Sequence, residues 1–284
     1  MKGLIINLES AYQNCIQFAS HHYENFPVIS LFIQKQLRKH VAVIYCFARY
    51  ADDIADEGDE NKEEKLNNIN QFKIDFQKAL NGEYKNDFWI ALHNTIIKFK
   101  VDPGLLFALL NAFHSDIIKN RFVNFNEITS YCNNSANPIG RIILRLHGYD
   151  DEQMDLLSDK ICTGLQLTNF YQDLGIDLKK NRIYLPLEEL KEFNVTEDDL
   201  LGNNFNSSVK ELIKFQVERN REYYKQGKLL LNYLSQRLKI QIGLTINGGE
   251  KILSKIEQFD YNVLNFRPTL RKYDFLSLFF KTIL

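Results

Sequence analysis

Proline is scarce in this chain of 284 residues: Pro27, Pro103, Pro138, Pro186 and Pro268 leave long intervals without an obligate helix breaker. Those intervals are rich in Leu, Ile, Lys, Glu, Gln and Phe, and neither a series of strands with turn signals nor a low-complexity linker interrupts them. The pattern predicts one all-α domain over 1–284. Cysteine is sparse too: Cys15, Cys46, Cys132 and Cys162 lie far apart with no Cys-x-x-Cys pair, which disfavours zinc and redox motifs and leaves reduced core thiols. Net charge is almost absent, and a formal −1 gives no general electrostatic reason to bind nucleic acid. No stretch reaches the roughly 18 apolar residues of a spanning helix. The opening MKGLIINLESAYQNC lacks the pattern of a secretory signal, and the C-terminal FLSLFFKTIL is apolar but too short to cross a bilayer. The expectation is a soluble, cytoplasmic protein with room for peripheral contact at a membrane surface.

What is present is a succession of helical patterns, and the hydrophobic fraction of 45% is ample for their core. A broad apolar stripe through Leu31, Val41, Ile44, Tyr45 and Ala48 predicts a buried helix over 31–56 ending near Gly58. The polar stretch 57–70 reads as a solvated loop entering a helix over 63–80 that Asn81-Gly82 ends. Asp102-Pro103 starts a helix over 103–119, and Asn137-Pro138-Ile139-Gly140 marks a break between two helical pieces. Further helices are expected over 152–178, with Pro186 in the exit loop, and over 207–234, 236–258 and about 268–282. Gly248-Gly249 marks a kink or a close packing point.

Two short acidic words stand out: Asp52-Asp53-Ile54-Ala55-Asp56 and Asp173-Leu174-Gly175-Ile176-Asp177. Both repeat Asp-x-x-x-Asp inside helical patterns, so each places two carboxylates on one helix face. Like charges at that spacing destabilise an isolated helix, and two such words point to a bound cation. Magnesium prefers oxygen ligands and is commonly shared between one or two carboxylates and phosphate oxygens, so the words suggest a metal-bridged diphosphate. On an allylic carbon such a diphosphate leaves to give a carbocation, whose fate an apolar cavity must control. The words are expected to face each other across that cavity. Asn169 precedes Asp173 by four residues, which makes Asn169, Asp173 and Asp177 a three-rung oxygen ladder. Arg49, Lys179, Lys180 and Arg182 supply nearby cations, and Tyr45 and Gln166 extend the polar rim. The plainer alternatives are a solvated acidic face, with Arg49 and Arg182 as structural ion-pair partners. His21-His22 and His147 lack metal-ligand spacing and suit surface or satisfied-core roles. The 21 phenylalanines belong to the core first, although an aromatic face also stabilises a cation.

The segments ARYADDIADEGD (48–59) and QLTNFYQDLGIDLKKNRIYLP (166–186) resemble the two signature regions of the squalene/phytoene synthase family. HHYENFPVIS (21–30), YCNNSANPIGR (131–141) and the stretch from NGGEKIL to NFRPTL (247–270) extend the resemblance over nearly the whole chain. It implies the all-α prenyl synthase fold with a central hydrophobic channel, and Mg2+ as the cofactor. By position it implies Asp52 and Asp56 as magnesium ligands of the first region, and Asn169, Asp173 and Asp177 as ligands or diphosphate organisers of the second. Asp53 belongs to the first motif without a defined role. Tyr45, Arg49 and Arg267 match diphosphate contacts, with Lys179 and Arg182 as weaker ones, and Gln166 matches a polar residue of the channel.

Three departures from the family pattern carry information. Members that condense two prenyl diphosphates usually place Arg immediately before the second acidic word; here it is Gln172, which cannot supply a charge or a bidentate fork. Asn133 and the Gly248-Gly249 pair stand where family tyrosines are common. The combination ENFPV, SANPIGR and TNFYQD looks most like the bacterial hydroxysqualene synthase branch. That likeness implies ionisation of presqualene diphosphate and capture of the rearranged cation by water, beside a related presqualene diphosphate synthase and a flavin-dependent reductase. Gln166, Gln172 and Asn133 are the candidates to hold the capturing water. The alternatives are a head-to-head squalene, dehydrosqualene or phytoene synthase acting on farnesyl or geranylgeranyl diphosphate, and a non-catalytic relative serving as a scaffold.

Overall fold

Fourteen α-helices and no strand occur among the described residues, which in this computed structural model are 8–21, 33–56, 58 and 60–283. The opening residues 1–7, Leu31, the 22–30 part of the HHYENFPVIS segment with His22 and Pro27, and Glu57 and Asp59 of the first signature region lie outside them; the His21 side chain is not described either. The helices are α1 (Leu8–His21), α2 (Lys35–Asp56), α3 (Lys62–Leu80), α4 (Asp87–Phe99), α5 (Pro103–Ile118), α6 (Phe125–Ser135) and α7 (Asn137–Leu146). They continue with α8 (Glu152–Gln172), α9 (Leu174–Asp177), α10 (Leu187–Glu192), α11 (Glu197–Leu201), α12 (Ser207–Gly227), α13 (Gln236–Gln258) and α14 (Lys272–Ile283). The fold is all-α, as the scarcity of proline predicts.

Local chemistry sets the boundaries. Asn61 and Glu64 form a capping box, so α3 begins at Lys62 and most of the polar stretch expected as loop is helix. Asn81 caps its C-terminus and Gly82 follows at φ +85°, the left-handed turn for which glycine is suited. The break near Asn137-Pro138 falls at Ala136, between α6 and α7. The helix expected over 152–178 is interrupted at Asp173, and the one expected over 207–234 gives way to a 3-10 turn over Lys228–Asn232.

The chain divides into two compact units: residues 1–118 with 141–151, and residues 119–140 with 152–284. In the first, α2 is the hub and packs against α1, α3, α4 and α5. Its inward face carries Val43, Ile44, Cys46, Phe47, Ala51 and Ala55, all buried. Phe47 sits among Phe72, Phe76 and Trp89, with ring centroids 5.1 to 6.4 Å away. Burying each such ring stabilises the unit by about 2–3 kcal/mol. Between Tyr12 and Phe99, His40 is 1% exposed; its Nδ1 pairs with Thr95 Oγ1 at 2.9 Å while its Nε2 is buried with no hydrogen-bond partner among the described residues. Burial, reinforced by the charges of Lys98 and Lys39 and opposed by Glu9, lowers its pKa to about 4.

In the second unit α8 is the hub, against α6, α12 and α13. Small residues let the helices approach: a Cβ at Gly164 would stand 3.2 Å from the Tyr224 ring, and one at Gly249 would overlap the Tyr224 hydroxyl. That hydroxyl shares a 2.8 Å hydrogen bond with Thr168 Oγ1, and Asn220 donates to Thr168 Oγ1 and to the Gly164 carbonyl. The Gly248-Gly249 pair is therefore a packing point, and α13 runs through it from Gln236 to Gln258. The cysteines are all free, three buried and Cys162 partly so, and His147 accepts a satisfied-core role with Nδ1 against the Ile143 carbonyl at 2.9 Å.

Two outcomes follow from this packing. Gly249→Ala should lower stability by about 1–3 kcal/mol in urea unfolding, with Tyr224→Phe in the same chain restoring part of the loss by removing the overlapped oxygen. His40 binds its proton more weakly folded than unfolded, so between pH 6.5 and about 4 the unfolded chain holds the extra proton and stability falls as pH falls. The contribution is up to about 3 kcal/mol, and His40→Gln should flatten the dependence of the urea midpoint on pH across that window.

Candidate active site

The first acidic word forms the last turns of α2. Tyr45, Arg49, Asp52 and Asp56 follow one another at three- and four-residue steps along the helix, outside the buried stripe, and each is half-buried. Arg49 is the local counter-ion: its Nε lies 2.6 Å from Asp53 Oδ1 and its Nη1 3.3 Å from Asp52 Oδ2. Arg49 is thus paired with the motif's own acids, as the structural alternative has it. Asp53, whose role the sequence left open, holds its closest contact. The last turn of α2 contains no basic residue. Three acids therefore gather where the helix dipole already places partial negative charge. Lys65, from α3, donates to the Ala55 carbonyl at 3.2 Å and relieves one of those end carbonyls. Lys65 lies in the polar stretch 57–70, where nothing in the sequence signals this contact.

The second word begins where α8 stops. Asp173 has φ −101° and ψ 8°, which breaks the regular helix, yet the backbone bonds from Asp173 N to Asn169 O and from Asp177 N to Asp173 O persist at 2.9 Å each. The Asn169, Asp173 and Asp177 ladder keeps its four-residue steps across the break. Gly175 accounts for the geometry: a Cβ there would stand 2.6 Å from the Leu264 carbonyl oxygen, so only glycine lets residues 263–264 press against the word. Beyond Asp177 a 3-10 turn over Leu178–Lys180 ends at Asn181, which adopts φ +54°. Arg182 N returns to the Asp177 carbonyl at 2.9 Å. Lys179 is exposed and Arg182 half-buried. Arg121 fixes this turn, with Nη1 to Asn181 O at 2.6 Å, Nη2 to Asn181 Oδ1 at 2.7 Å and Nε to Glu197 at 2.8 Å. It went unmarked in the sequence because its partners are 60 and 76 residues away.

Arg267 is brought to the second word. Its Nε and Nη2 approach the two oxygens of Asp173 at 2.5 and 3.2 Å, a bidentate pair that raises the guanidinium pKa further. The pair is partly exposed, 42% for Arg267 and 28% for Asp173, so it is worth only about 1 kcal/mol or less. Gln172, expected among the polar residues facing the channel, is 1% exposed, and its Nε2 donates to the Pro268 carbonyl at 2.6 Å. Its donor end is committed to the backbone rather than open to a water. Asn133 is exposed and accepts from Asn137 Nδ2 at 2.8 Å, while Asn137 Oδ1 accepts from Thr163 at 3.0 Å. Gln166 is half-buried one turn along α8 from Thr163, and Asn169 is exposed.

The donor chemistry of both words suits a hard cation. Every offered atom is oxygen, and the carboxylates are partly exposed at C-terminal helix ends. Among the described residues no three His, Cys, Asp or Glu side chains gather closely enough to cage an ion alone. No helix among the described residues is long and apolar enough to cross a membrane.

Comparison with known proteins places this geometry. The model of the squalene/phytoene synthase family matches residues 19–274, across both signature regions. A 15-cis-phytoene synthase of Synechococcus elongatus is 25% identical over 94% of this chain and 92% of its own length. A hydroxysqualene synthase of Sinorhizobium fredii is 29% identical over 85% of this chain and 82% of its own. Among solved structures, squalene synthase HpnC from Alicyclobacillus acidocaldarius superposes with a TM-score of 0.85 at 31% identity, covering 91% of this chain and 97% of that one. The chain belongs to the squalene/phytoene synthase family of enzymes, which act on prenyl diphosphates.

Proposed function

We propose that the protein is a hydroxysqualene synthase, converting presqualene diphosphate and water to hydroxysqualene and diphosphate. The observation that carries this reading is Gln172. A condensing enzyme handles two diphosphates and usually places a guanidinium beside the second word; this chain has a neutral carboxamide there, with its donor spent on Pro268. The 31% identity to squalene synthase HpnC and the 29% identity to a hydroxysqualene synthase support the same branch.

Asp52 and Asp56 in one unit, and Asn169, Asp173 and Asp177 in the other, are the residues to hold magnesium. The metal, when bound, neutralises diphosphate oxygens and makes the group a better leaving group. Arg49 at the first word and Arg267 at the second, each resting on a carboxylate, offer guanidinium groups to diphosphate oxygens. The C–O bond breaks with its electron pair on diphosphate, and the cyclopropylcarbinyl cation rearranges and opens. Water then forms the new C–O bond and gives up a proton. Carbon is neither oxidised nor reduced overall in that sequence. Gln166 and Asn133 remain the side chains with polar ends suited to hold the water. A presqualene diphosphate synthase upstream and a flavin-dependent reductase downstream belong with this reading, as does peripheral contact with the membrane that receives a C30 product.

Head-to-head condensation is the second reading, favoured by the phytoene synthase that matches 94% of the chain. Purified protein given magnesium with presqualene diphosphate should release diphosphate and yield hydroxysqualene by mass spectrometry, and farnesyl or geranylgeranyl diphosphate alone should yield nothing. Diphosphate release from either of the latter would establish condensation instead. Asp52→Asn combined with Asp173→Asn should reduce turnover by about 10³-fold or more while the helical circular dichroism stays unchanged. A biological role that survives this double change would assign the chain to a scaffold.

A further inference from the structure

We infer that Gln172 is a positioning residue that acts through Arg267: it straps residues 263–268 to the end of α8, so that Arg267 can leave Asp173 for a bound diphosphate without leaving the site. The inference rests on the diphosphate reading above. Three residues around the start of the second word, Gln172, Asp173 and Gly175, meet three features of the same strap. Gln172 Nε2 donates to the Pro268 carbonyl at 2.6 Å, Asp173 pairs with Arg267, and Gly175 lies under the Leu264 carbonyl. Their characters differ. The amide bond is buried and joins a neutral donor to backbone, whereas the ion pair is partly exposed and open to competition from a metal and from phosphate oxygens.

The other end of the carboxamide sharpens the point. Gln172 Oε1 is buried with no hydrogen-bond partner among the described residues. An apolar side chain would avoid that penalty, so the residue is not explained as filling. What only the amide supplies here is the N–H that reaches Pro268, next in sequence to Arg267. At the start of the strap, Phe266 N bonds to Asn262 O and Asn265 N to Asn262 Oδ1, which folds the segment into a short turn. A tether at Pro268 and a close contact at Leu264 therefore fix the Cα of Arg267 between them, and the side chain alone is left to move.

The test has two arms on the full-length protein. In the first, without ligand, hydrogen exchange over residues 262–270 is compared between wild type and Gln172→Met. Exchange should accelerate by about tenfold or more at this segment while α2 and α5 are unaffected, and unchanged exchange overturns the strap. If Gln172→Met does not fold, Gly175→Ala displaces the same strap from its other side and must give the same local acceleration. In the second arm, binding of magnesium with inorganic diphosphate is measured by calorimetry for wild type, Gln172→Met, Arg267→Ala and the double variant. Gln172→Met should weaken binding about five- to tenfold, and that loss should vanish in the Arg267→Ala background. Losses that multiply show that Gln172 does not act through Arg267. A wild-type protein that binds no magnesium diphosphate refutes the diphosphate reading and this coupling together, and faster exchange in Gln172→Met then leaves a strap without that use.

Discussion

Like charge collected at the C-terminal ends of two helices is the constraint around which the structure is built. An acid pair four residues apart disfavours a helix by about 0.2–0.5 kcal/mol, and acids in the last turn oppose the dipole by a further 0.3–1 kcal/mol or so. The first word incurs both penalties with no basic residue in its last turn. Packing outweighs them: the opposite side of α2 buries Val43, Ile44 and Phe47, each worth about 1.5–3 kcal/mol. A helix held by its core tolerates an unfavourable end, and an unfavourable end is what a cation relieves.

Each word carries one guanidinium in compensation, and the two are mounted differently. Arg49 sits on α2 beside the acids it neutralises, at a fixed helical spacing. Arg267 comes from a turn 94 residues away in sequence, and its position depends on what fastens that turn. Arg121 does related work on the far side of the second word, where it grips Asn181 in a left-handed conformation and holds the return from Asp177 to Arg182. Each word is thus a helix end with its own counter-charge, one mounted on the same helix and the other brought up by a separately secured turn.

Features with a local cause were legible in the sequence. Pro103, Pro138, Pro186 and the Asn81-Gly82 stop bound helices close to where they fall, the acidic words lie at helix ends, and Phe47 and Phe76 are fully buried in the core. The capping box at Asn61 and Glu64 was also local, but the charge of 57–70 masked it and the stretch read as loop. The break at Asp173 and the task of Gln172 were not legible, because each depends on backbone that arrives from beyond residue 260. Periodicity through 152–178 carries no trace of the Leu264 carbonyl that rests against Gly175. A glutamine beside an acidic word likewise gives no sign that its amide will be used by Pro268, 96 residues on.

That difference in legibility bears on how a family site acquires a new chemistry. The acids are set by helix spacing. The residue beside them is set by tertiary contact, and exchanging Arg for Gln at position 172 removes a charge while preserving a donor long enough to reach the Pro268 carbonyl. The electrostatics of the second word can then fall by one positive charge without loosening the turn that delivers Arg267. Charge number and geometry become separable at a single position, which is what the proposed single-diphosphate reading requires of a site whose framework stays in place.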